Sequence, residues 1–94
     1  PLFCRADFCE DVVYVTFDYG KGLKSSDGGP LRTFEVAETD GVYYPAVAEI
    51  INGQIKVYSE QVKRPRYIRY GWQPFTRANL VNAQGLPAST FRSY

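Results

Sequence analysis

The sequence predicts an all-β protein: an antiparallel β-sandwich with an irregular C-terminal segment packed along it. Two observations carry this prediction. Short segments in which apolar and polar residues alternate recur along the chain, and alternation with a period of two is typical of half-buried strands. Turn-forming residues separate these segments about every eight to twelve residues, which is the spacing found in all-β sandwiches.

The first strand is predicted at residues 12–19, where every second residue is apolar or aromatic. Its inward face comprises Val13, Val15, Phe17 and Tyr19. The next strand is predicted at residues 31–37, with Phe34 and Val36 inward. Glycines, serines and a proline between the two segments favour loops, because Gly tolerates positive φ and Pro cannot donate to a sheet.

Two hairpin turns are predicted, at Asp40-Gly41 and at Asn52-Gly53. A two-residue type I′ turn needs positive φ at both central residues, which Asn, Asp and Gly tolerate best. The turns delimit a strand at residues 42–51, and a further strand follows at residues 54–59. Ile55 and Val57 lie on the inward face of this second strand.

A last strand is predicted at residues 66–72, with Ile68, Tyr70 and Trp72 on one face. No internal repeat and no Gly/Ser-rich linker divides the chain. The strands therefore belong to one sandwich, of the immunoglobulin-like or jelly-roll-like type.

The 94 residues are enough for a single domain with one modest core. An apolar fraction of 45% and a charged fraction of 22% are typical of folded globular proteins. No apolar run approaches the roughly 20 residues that span a bilayer, so membrane insertion is not expected. The start at Pro1, without Met or a signal-peptide pattern, leads us to expect that residues 1–94 are an excised piece of a longer protein.

Charge is distributed unevenly along the chain. All ten acidic residues fall within residues 1–60, whereas residues 61–94 carry six Lys and Arg and no acid. A basic segment with interleaved aromatic residues is one mark of binding to nucleic acid or to an anionic substrate. The net charge of only +1 lacks the strongly basic character of such proteins, so we expect no nucleic-acid partner and instead arginines packed over aromatic rings.

Cys4 and Cys9 are the two cysteines. A disulfide between them would close a small loop and contribute at most about 2 to 3 kcal/mol. The sequence favours two reduced, partly buried thiols. Because the chain contains no histidine, a zinc site is not expected, and we predict no metal and no cofactor.

The same absence of histidine excludes a Ser-His-Asp or Cys-His nucleophile system within this chain. Gly20-Lys21-Gly22 matches no phosphate-binding loop. The carboxylates offer no paired acid and base: Glu10 and Asp11 are predicted to point apart. Glu35, Glu38 and Glu49 are expected on the surface. We therefore predict no catalytic residue in these 94 residues.

Binding is the remaining class of function. Several aromatic residues could form a platform that stacks on sugar faces, while an arginine binds the sugar's hydroxyls or a carboxylate. These aromatic residues are Tyr43, Tyr44, Tyr58, Tyr67, Tyr70, Trp72 and Phe75. Aromatic residues of β-sandwiches belong more often to a core or an interface. A structural role is therefore favoured, and the platform stays open as an alternative.

The C-terminal quarter contains three stretches with an unusual, irregular pattern: IRYGW at 68–72, NLVN at 79–82 and GLPASTFR at 85–92. Together they resemble the C-terminal signature of bacterial sialate O-acetylesterases. Shorter stretches upstream are also similar to the family: VYVTF at 13–17, GL at 22–23, FEVA at 34–37, AVAEI at 46–50 and VYS at 57–59. The departures from the family pattern are Val81, Gln84, Thr90 and Ser93, none at a position the family uses for chemistry.

The resemblance implies a role within a larger enzyme. Members of this family combine an SGNH-type hydrolase domain, which carries a serine nucleophile and an Asp-x-x-His motif, with β-rich accessory domains, and they remove acetyl groups from sialic acids. This chain resembles the accessory domain that follows the catalytic histidine, so no catalytic residue is carried over. The implied partner is the SGNH-type hydrolase domain of the same chain, and the implied location is the periplasm, the cell surface or the secreted fraction.

Contact residues are expected in the closing segment, residues 71–94, and the strand before it. We hypothesise that this segment wraps back along the sandwich and docks it onto the hydrolase domain, with Leu86 and Arg77 also taking part. The expected interdomain or glycan contacts are Arg69, Tyr70, Trp72, Phe75, Phe91 and Arg92. The alternatives are a carbohydrate-binding module that uses Arg69, Tyr70 and Trp72, and an adhesive or oligomerising module.

Overall fold

The computed structural model describes residues 1–19, 21–72 and 77–93, and these residues form β-strands joined by turns and loops, without a helix. The ten strands are β1 (Leu2–Cys9), β2 (Val12–Asp18), β3 (Lys24–Ser25), β4 (Phe34–Ala37), β5 (Tyr43–Pro45), β6 (Val47–Ile51), β7 (Gln54–Tyr58), β8 (Tyr67–Tyr70), β9 (Leu80–Val81) and β10 (Phe91–Ser93). All strand pairs are antiparallel. The predicted all-β fold is confirmed. The described residues include no helix long and apolar enough to cross a membrane.

Two four-stranded sheets enclose the core. The first sheet has the order β1-β2-β7-β6, and the second sheet has the order β10-β8-β4-β5. A small third sheet pairs β3 with β9. The chain therefore passes repeatedly from one large sheet to the other.

The predicted alternation holds in the middle of the first sheet. Val13 and Val15 on β2, and Ile55 and Val57 on β7, are completely buried. The Asn52-Gly53 turn is also confirmed: φ is 49° at Asn52 and 79° at Gly53, and Ile51 pairs with Gln54 across it. Positive φ at both central residues is the type I′ pattern whose twist matches the flanking strands.

The segment at residues 42–51 differs from the prediction of one strand. It is divided at Ala46 into β5 of the second sheet and β6 of the first sheet. The Ala46 N–H still donates to the Phe34 carbonyl at 2.9 Å, and the chain crosses to the other sheet directly after it. The Asp40-Gly41 turn is likewise not a two-residue turn, because Ala37 pairs with Tyr43 and five residues lie between them.

Positive φ at three positions shortens predicted strands. Thr33, at φ 69°, delays the strand predicted at 31–37 until Phe34, and Tyr19, at φ 58°, turns away after β2 and is 79% exposed. Gly71, at φ 65°, ends β8. Trp72 is therefore 48% exposed instead of following Tyr70 into the core.

Aromatic rings fill one part of the core. Phe91 stacks on Phe3 with ring centroids 4.2 Å apart and meets Phe17 edge-on at 5.8 Å. Tyr70 lies 4.5 Å from Phe34, measured between ring centroids. Such pairs add about 0.5 to 1.5 kcal/mol each beyond burial. The closing strand β10 thus contributes a central core residue.

The described part of the closing segment packs along the sandwich through hydrogen bonds from backbone N–H groups to backbone and side-chain oxygens. The Leu80 N–H donates to the Tyr70 hydroxyl oxygen at 2.9 Å, and the Ala88 N–H donates to the Leu80 carbonyl at 2.9 Å. Near the chain's start, the Ser89 N–H donates to the Pro1 carbonyl, and the Phe3 N–H donates to Ser89 Oγ. The segment is part of the fold rather than a tail.

The two cysteines are free and exposed, so the expectation of partial burial was wrong. Both lie on β1, an edge strand that the sequence analysis did not predict. Cys4 is the extra residue at a register shift in the pairing of β1 with β2, between Phe3 and Arg5. Cys9 lies five positions after Cys4 on an extended strand, which places their Cα atoms roughly 16 Å apart, beyond the reach of a disulfide.

A polar network joins the loop at residues 26–32 to the closing segment. Asn79, which is 2% exposed, accepts from the Arg32 N–H and donates to Asp27 Oδ1 and to the Pro30 carbonyl. Arg32 Nη1 lies 2.6 Å from Asp27 Oδ2. The hydrogen bond from Arg32, with those from Gly29 and Asn79, lowers the pKa of Asp27 to about 2.

This lowered pKa makes the stability of the fold sensitive to acid. Because the folded pKa of Asp27 lies below the ordinary value of about 3.9, its contribution is complete above about pH 4 and disappears as the pH falls through about 2. We expect the difference in unfolding free energy between wild type and Asp27→Asn to be constant above pH 5 and to shrink between pH 4 and 2. Urea denaturation across this range measures it. Arg32→Gln should weaken the same pH dependence, and a gap that does not change with pH would contradict the assignment.

Candidate functional site

The outer face of the second sheet brings together residues from four separate strands. In one row across the sheet, Arg92 pairs with Arg69, and Arg69 pairs with Glu35. In the next row, Tyr67 pairs with Ala37, and Ala37 pairs with Tyr43. Successive residues of a strand alternate between faces, so these side chains share the face opposite the core. With Trp72, which follows β8, we call Tyr43, Tyr67, Arg69, Trp72 and Arg92 the aromatic-arginine face.

Arg69 is fixed by two partners. Its Nε lies 3.0 Å from Glu35 Oε1, and its guanidinium carbon lies 3.9 Å from the centre of the Tyr43 ring. Glu35 is only 9% exposed, so the expectation that it lies on the surface was wrong. A carboxylate this deep in a fold needs a cation beside it, and cross-strand pairing supplies Arg69.

Arg92 lies directly opposite Arg69, and like charges in this position destabilise a sheet. The two guanidinium groups are directed to different partners. Arg92 lies over the Trp72 ring, 5.6 Å from the ring centre, while Arg69 pairs with Glu35. Ring faces and neighbouring carboxylates attract guanidinium groups, so each arginine has compensation for their mutual repulsion.

A depression of about 250 Å³ adjoins the face. It is lined by Thr39, Gly41, Tyr43, Tyr67 and Arg92. This volume lies just below the roughly 300 to 1,000 Å³ typical of small-molecule pockets. Its walls present the aromatic rings of Tyr43 and Tyr67 and the guanidinium of Arg92, together with hydroxyl groups. Side chains of these kinds can bind a ligand or another protein surface.

The structure separates the predicted contact residues into two groups. Arg69, Trp72 and Arg92 lie together on the aromatic-arginine face. Tyr70 and Phe91 are core residues, 1% and 6% exposed, so their buried side chains leave almost no surface for a glycan or another domain. A contact role is a prediction that now rests on the first group alone.

The remaining residues of the docking hypothesis lie elsewhere. Leu86 is 56% exposed, and the Arg77 carbonyl accepts a hydrogen bond from Arg32 Nε. Phe75 and the end of the segment at Tyr94 lie outside the described residues. Thr39, Gly41 and Glu35 were not among the predicted contacts, because their place beside the face depends on strand register.

Two tyrosine hydroxyls among the described residues have a raised pKa. Burial raises the pKa of the Tyr70 phenol, which keeps it protonated. The hydrogen bond from Tyr58 to Glu49 raises the pKa of Tyr58 as well. Among residues 1–19, 21–72 and 77–93, no three Asp, Glu, Cys or His side chains gather in a way that could hold a metal ion.

Comparison with known proteins finds a close structural relative. The chain is similar over its whole length to a carbohydrate acetylesterase from Xanthomonas citri, with 36% sequence identity and a TM-score of 0.94. It spans 22% of the length of that protein. No protein-family model matches the chain, and no curated protein matches it. The chain is therefore similar to one part of a larger carbohydrate acetylesterase.

The buried ion pair should be strongly coupled. We expect a double-mutant cycle with Glu35→Gln and Arg69→Met to give an interaction energy of about 1 to 3 kcal/mol, because removing either partner alone leaves a poorly solvated charge. Urea denaturation of the wild type, both single variants and the double variant provides the value.

The exposed pair of Arg5 and Asp7, with side chains 66% and 53% exposed, is the matched control. Its cycle should give at most about 0.5 kcal/mol, since water screens surface pairs. Equal coupling energies for the two pairs would show that Glu35 is not as desolvated as the structure indicates.

Proposed function

We propose that the chain is a non-catalytic C-terminal accessory domain of a larger carbohydrate esterase that removes O-acetyl groups from sialic acids. The observation that carries the proposal is the similarity of the whole chain, at 36% identity, to part of a carbohydrate acetylesterase. The sialate preference is supported by the resemblance of residues 68–92 to the sialate O-acetylesterase signature.

The parent enzyme would supply the chemistry from another domain. An SGNH-type hydrolase domain would attack the acetyl ester through a serine activated by a histidine, forming an acyl-enzyme stabilised by an oxyanion hole. This chain contains no histidine that could act as the base. The parent would be bacterial and exported to the periplasm, the cell surface or the medium.

The role proposed for this domain is to dock against and stabilise the hydrolase domain through the aromatic-arginine face. Tryptophan, tyrosine and arginine are the residues that most often dominate the binding energy of protein interfaces. Trp72 is about half exposed and lies beside Arg92, and the Glu35 ion pair fixes Arg69 beside Tyr43. Ordered, partly exposed aromatic and arginine side chains lose little conformational entropy when a partner covers them.

A carbohydrate-binding module is the second candidate. The depression lined by Tyr43, Tyr67 and Arg92 favours it, because sugar rings stack on aromatic faces and hydroxyls bind guanidinium groups. The Arg69 guanidinium already lies over the Tyr43 ring, which leaves less ring surface for a sugar. Docking is therefore the better supported of the two.

The test compares the full-length esterase with its Trp72→Ala variant. We expect the variant to lower the unfolding temperature of the hydrolase domain by about 4 to 8 °C, as loss of an interface residue worth about 2 kcal/mol would. Tyr19→Ala is the matched control, because Tyr19 is 79% exposed and lies outside the face. Differential scanning calorimetry measures stability, and acetate release from an O-acetylated sialoside measures activity.

Two results would overturn parts of the proposal. If hydrolase stability and cleavage of a small soluble ester are unchanged in Trp72→Ala while cleavage of a sialylated polymer is lost, the domain is a carbohydrate-binding module. If the full-length enzyme releases acetate from other acetylated sugars but not from sialosides, the sialate preference is wrong while the esterase role stands.

A further inference from the structure

A second recess, unrelated to the aromatic-arginine face, lies between the β1–β2 turn and the segment that joins β7 to β8. It has a volume of about 490 Å³ and is lined by Glu10, Asp11, Lys63, Arg64 and Arg66. This volume falls within the range of small-molecule sites. We call it the charged cleft.

The basic side of the charged cleft is carried on an anchored stretch of backbone. Val62 is 1% exposed, and Pro65 is fully buried. The Arg66 N–H donates to the Ala37 carbonyl at 2.8 Å, and the Lys63 N–H donates to Glu38 Oε2 at 3.1 Å. A fixed backbone presents the three cationic side chains from defined positions, which reduces the entropy lost when they bind a ligand.

The acidic side is the two-residue turn between Cys9 and Val12. Glu10 has φ 57°, a conformation that glycine adopts much more readily than glutamate. Strained residues of this kind persist where the surrounding structure holds them and are frequent at functional sites. Glycine would suit this backbone better but would remove a carboxylate from the cleft.

The charges that line the cleft do not neutralise one another by contact. Among the described residues, the ion pairs are Arg5 with Asp7, Arg32 with Asp27 and Arg69 with Glu35. None joins Glu10 or Asp11 to Lys63, Arg64 or Arg66. Three cations and two carboxylates therefore line a space of ligand size, and a third carboxylate, Glu38, accepts the Lys63 N–H beside it. The cations suit an anionic group of a ligand, and the carboxylates suit its hydroxyl groups.

We propose that the charged cleft binds an acidic sugar, that is, a monosaccharide unit with a carboxylate group; this inference rests on the proposed carbohydrate-esterase role. Arginine and lysine bind carboxylates through charge-assisted hydrogen bonds. Glu10 and Asp11 accept hydrogen bonds from hydroxyl groups, which a sugar supplies in number. A phosphate-rich or multiply acidic ligand would be repelled by the two carboxylates, and a neutral sugar would leave the cations without a partner.

The test is an NMR titration of the isotope-labelled 94-residue chain. The probes are the methyl glycoside of N-acetylneuraminate and, as the matched neutral ligand, the methyl ester of the same glycoside. We expect the acid to shift the amide signals of residues 10–11 and 63–66 with a dissociation constant of about 1 mM, and the ester to bind at least about 10-fold more weakly because it carries no charge.

Single substitutions localise the effect. Arg64→Gln and Arg66→Gln should each weaken binding of the acid by about 3- to 10-fold. Arg5→Gln makes the same change in net charge at an exposed arginine outside the cleft and should weaken binding by less than about 2-fold. The dispersion of the amide signals shows whether each variant is folded.

Three outcomes would overturn the proposal: no saturable shifts up to about 10 mM acid, shifts at Tyr43, Tyr67 and Trp72 instead of the cleft, or tighter binding of a tetraglutamate peptide than of the sugar acid. The second outcome would indicate a sugar platform on the aromatic-arginine face, and the third an acidic protein partner. Because the titration uses the domain alone, its failure does not bear on docking, which the full-length enzyme tests separately.

Discussion

The fold depends on one contact between strand β8 and the closing segment. The Tyr70 ring lies in the core, and its hydroxyl accepts the Leu80 N–H at 2.9 Å. Without this acceptor a buried backbone donor would be unsatisfied, which costs about 1 to 3 kcal/mol. The contact holds the segment against the sandwich, so that β9 can pair with β3 and Phe91 can enter the aromatic part of the core.

In this arrangement the aromatic and basic residues of the last quarter of the chain form two groups, one in the core and one at the surface. Tyr70 and Phe91 complete the core, whereas Trp72 and Arg92 remain at the surface beside Arg69. The Gly71 backbone makes the division, because its positive φ interrupts the alternation between Tyr70 and Trp72. A Cβ at Gly71 would lie 2.6 Å from Thr90 Cγ2, so both the backbone conformation and the close approach of the closing segment favour glycine there.

The sequence allowed the central strands, the Asn52-Gly53 turn and the all-β class to be predicted, because local alternation and turn chemistry determine them. It did not reveal β1, since the extra residue at Cys4 shifts the alternation between Phe3 and Ala6. Burial of Glu35 depends on Arg69, 34 residues away, and no local pattern shows that pairing. Arg69, Trp72 and Arg92 could be proposed as surface contacts from the sequence. Local patterns did not reveal that Tyr70 and Phe91, which were proposed with them, are buried.

The central claim is that the closing segment is a structural part of the sandwich, and amide hydrogen exchange tests it most directly. The Leu80 and Ala88 amides donate to buried or backbone acceptors. They should therefore exchange only through global unfolding, as slowly as the amides of Ile55 and Val57 in β7. If Leu80 and Ala88 exchanged much faster than β7, the segment would open independently of the core, which would contradict the account.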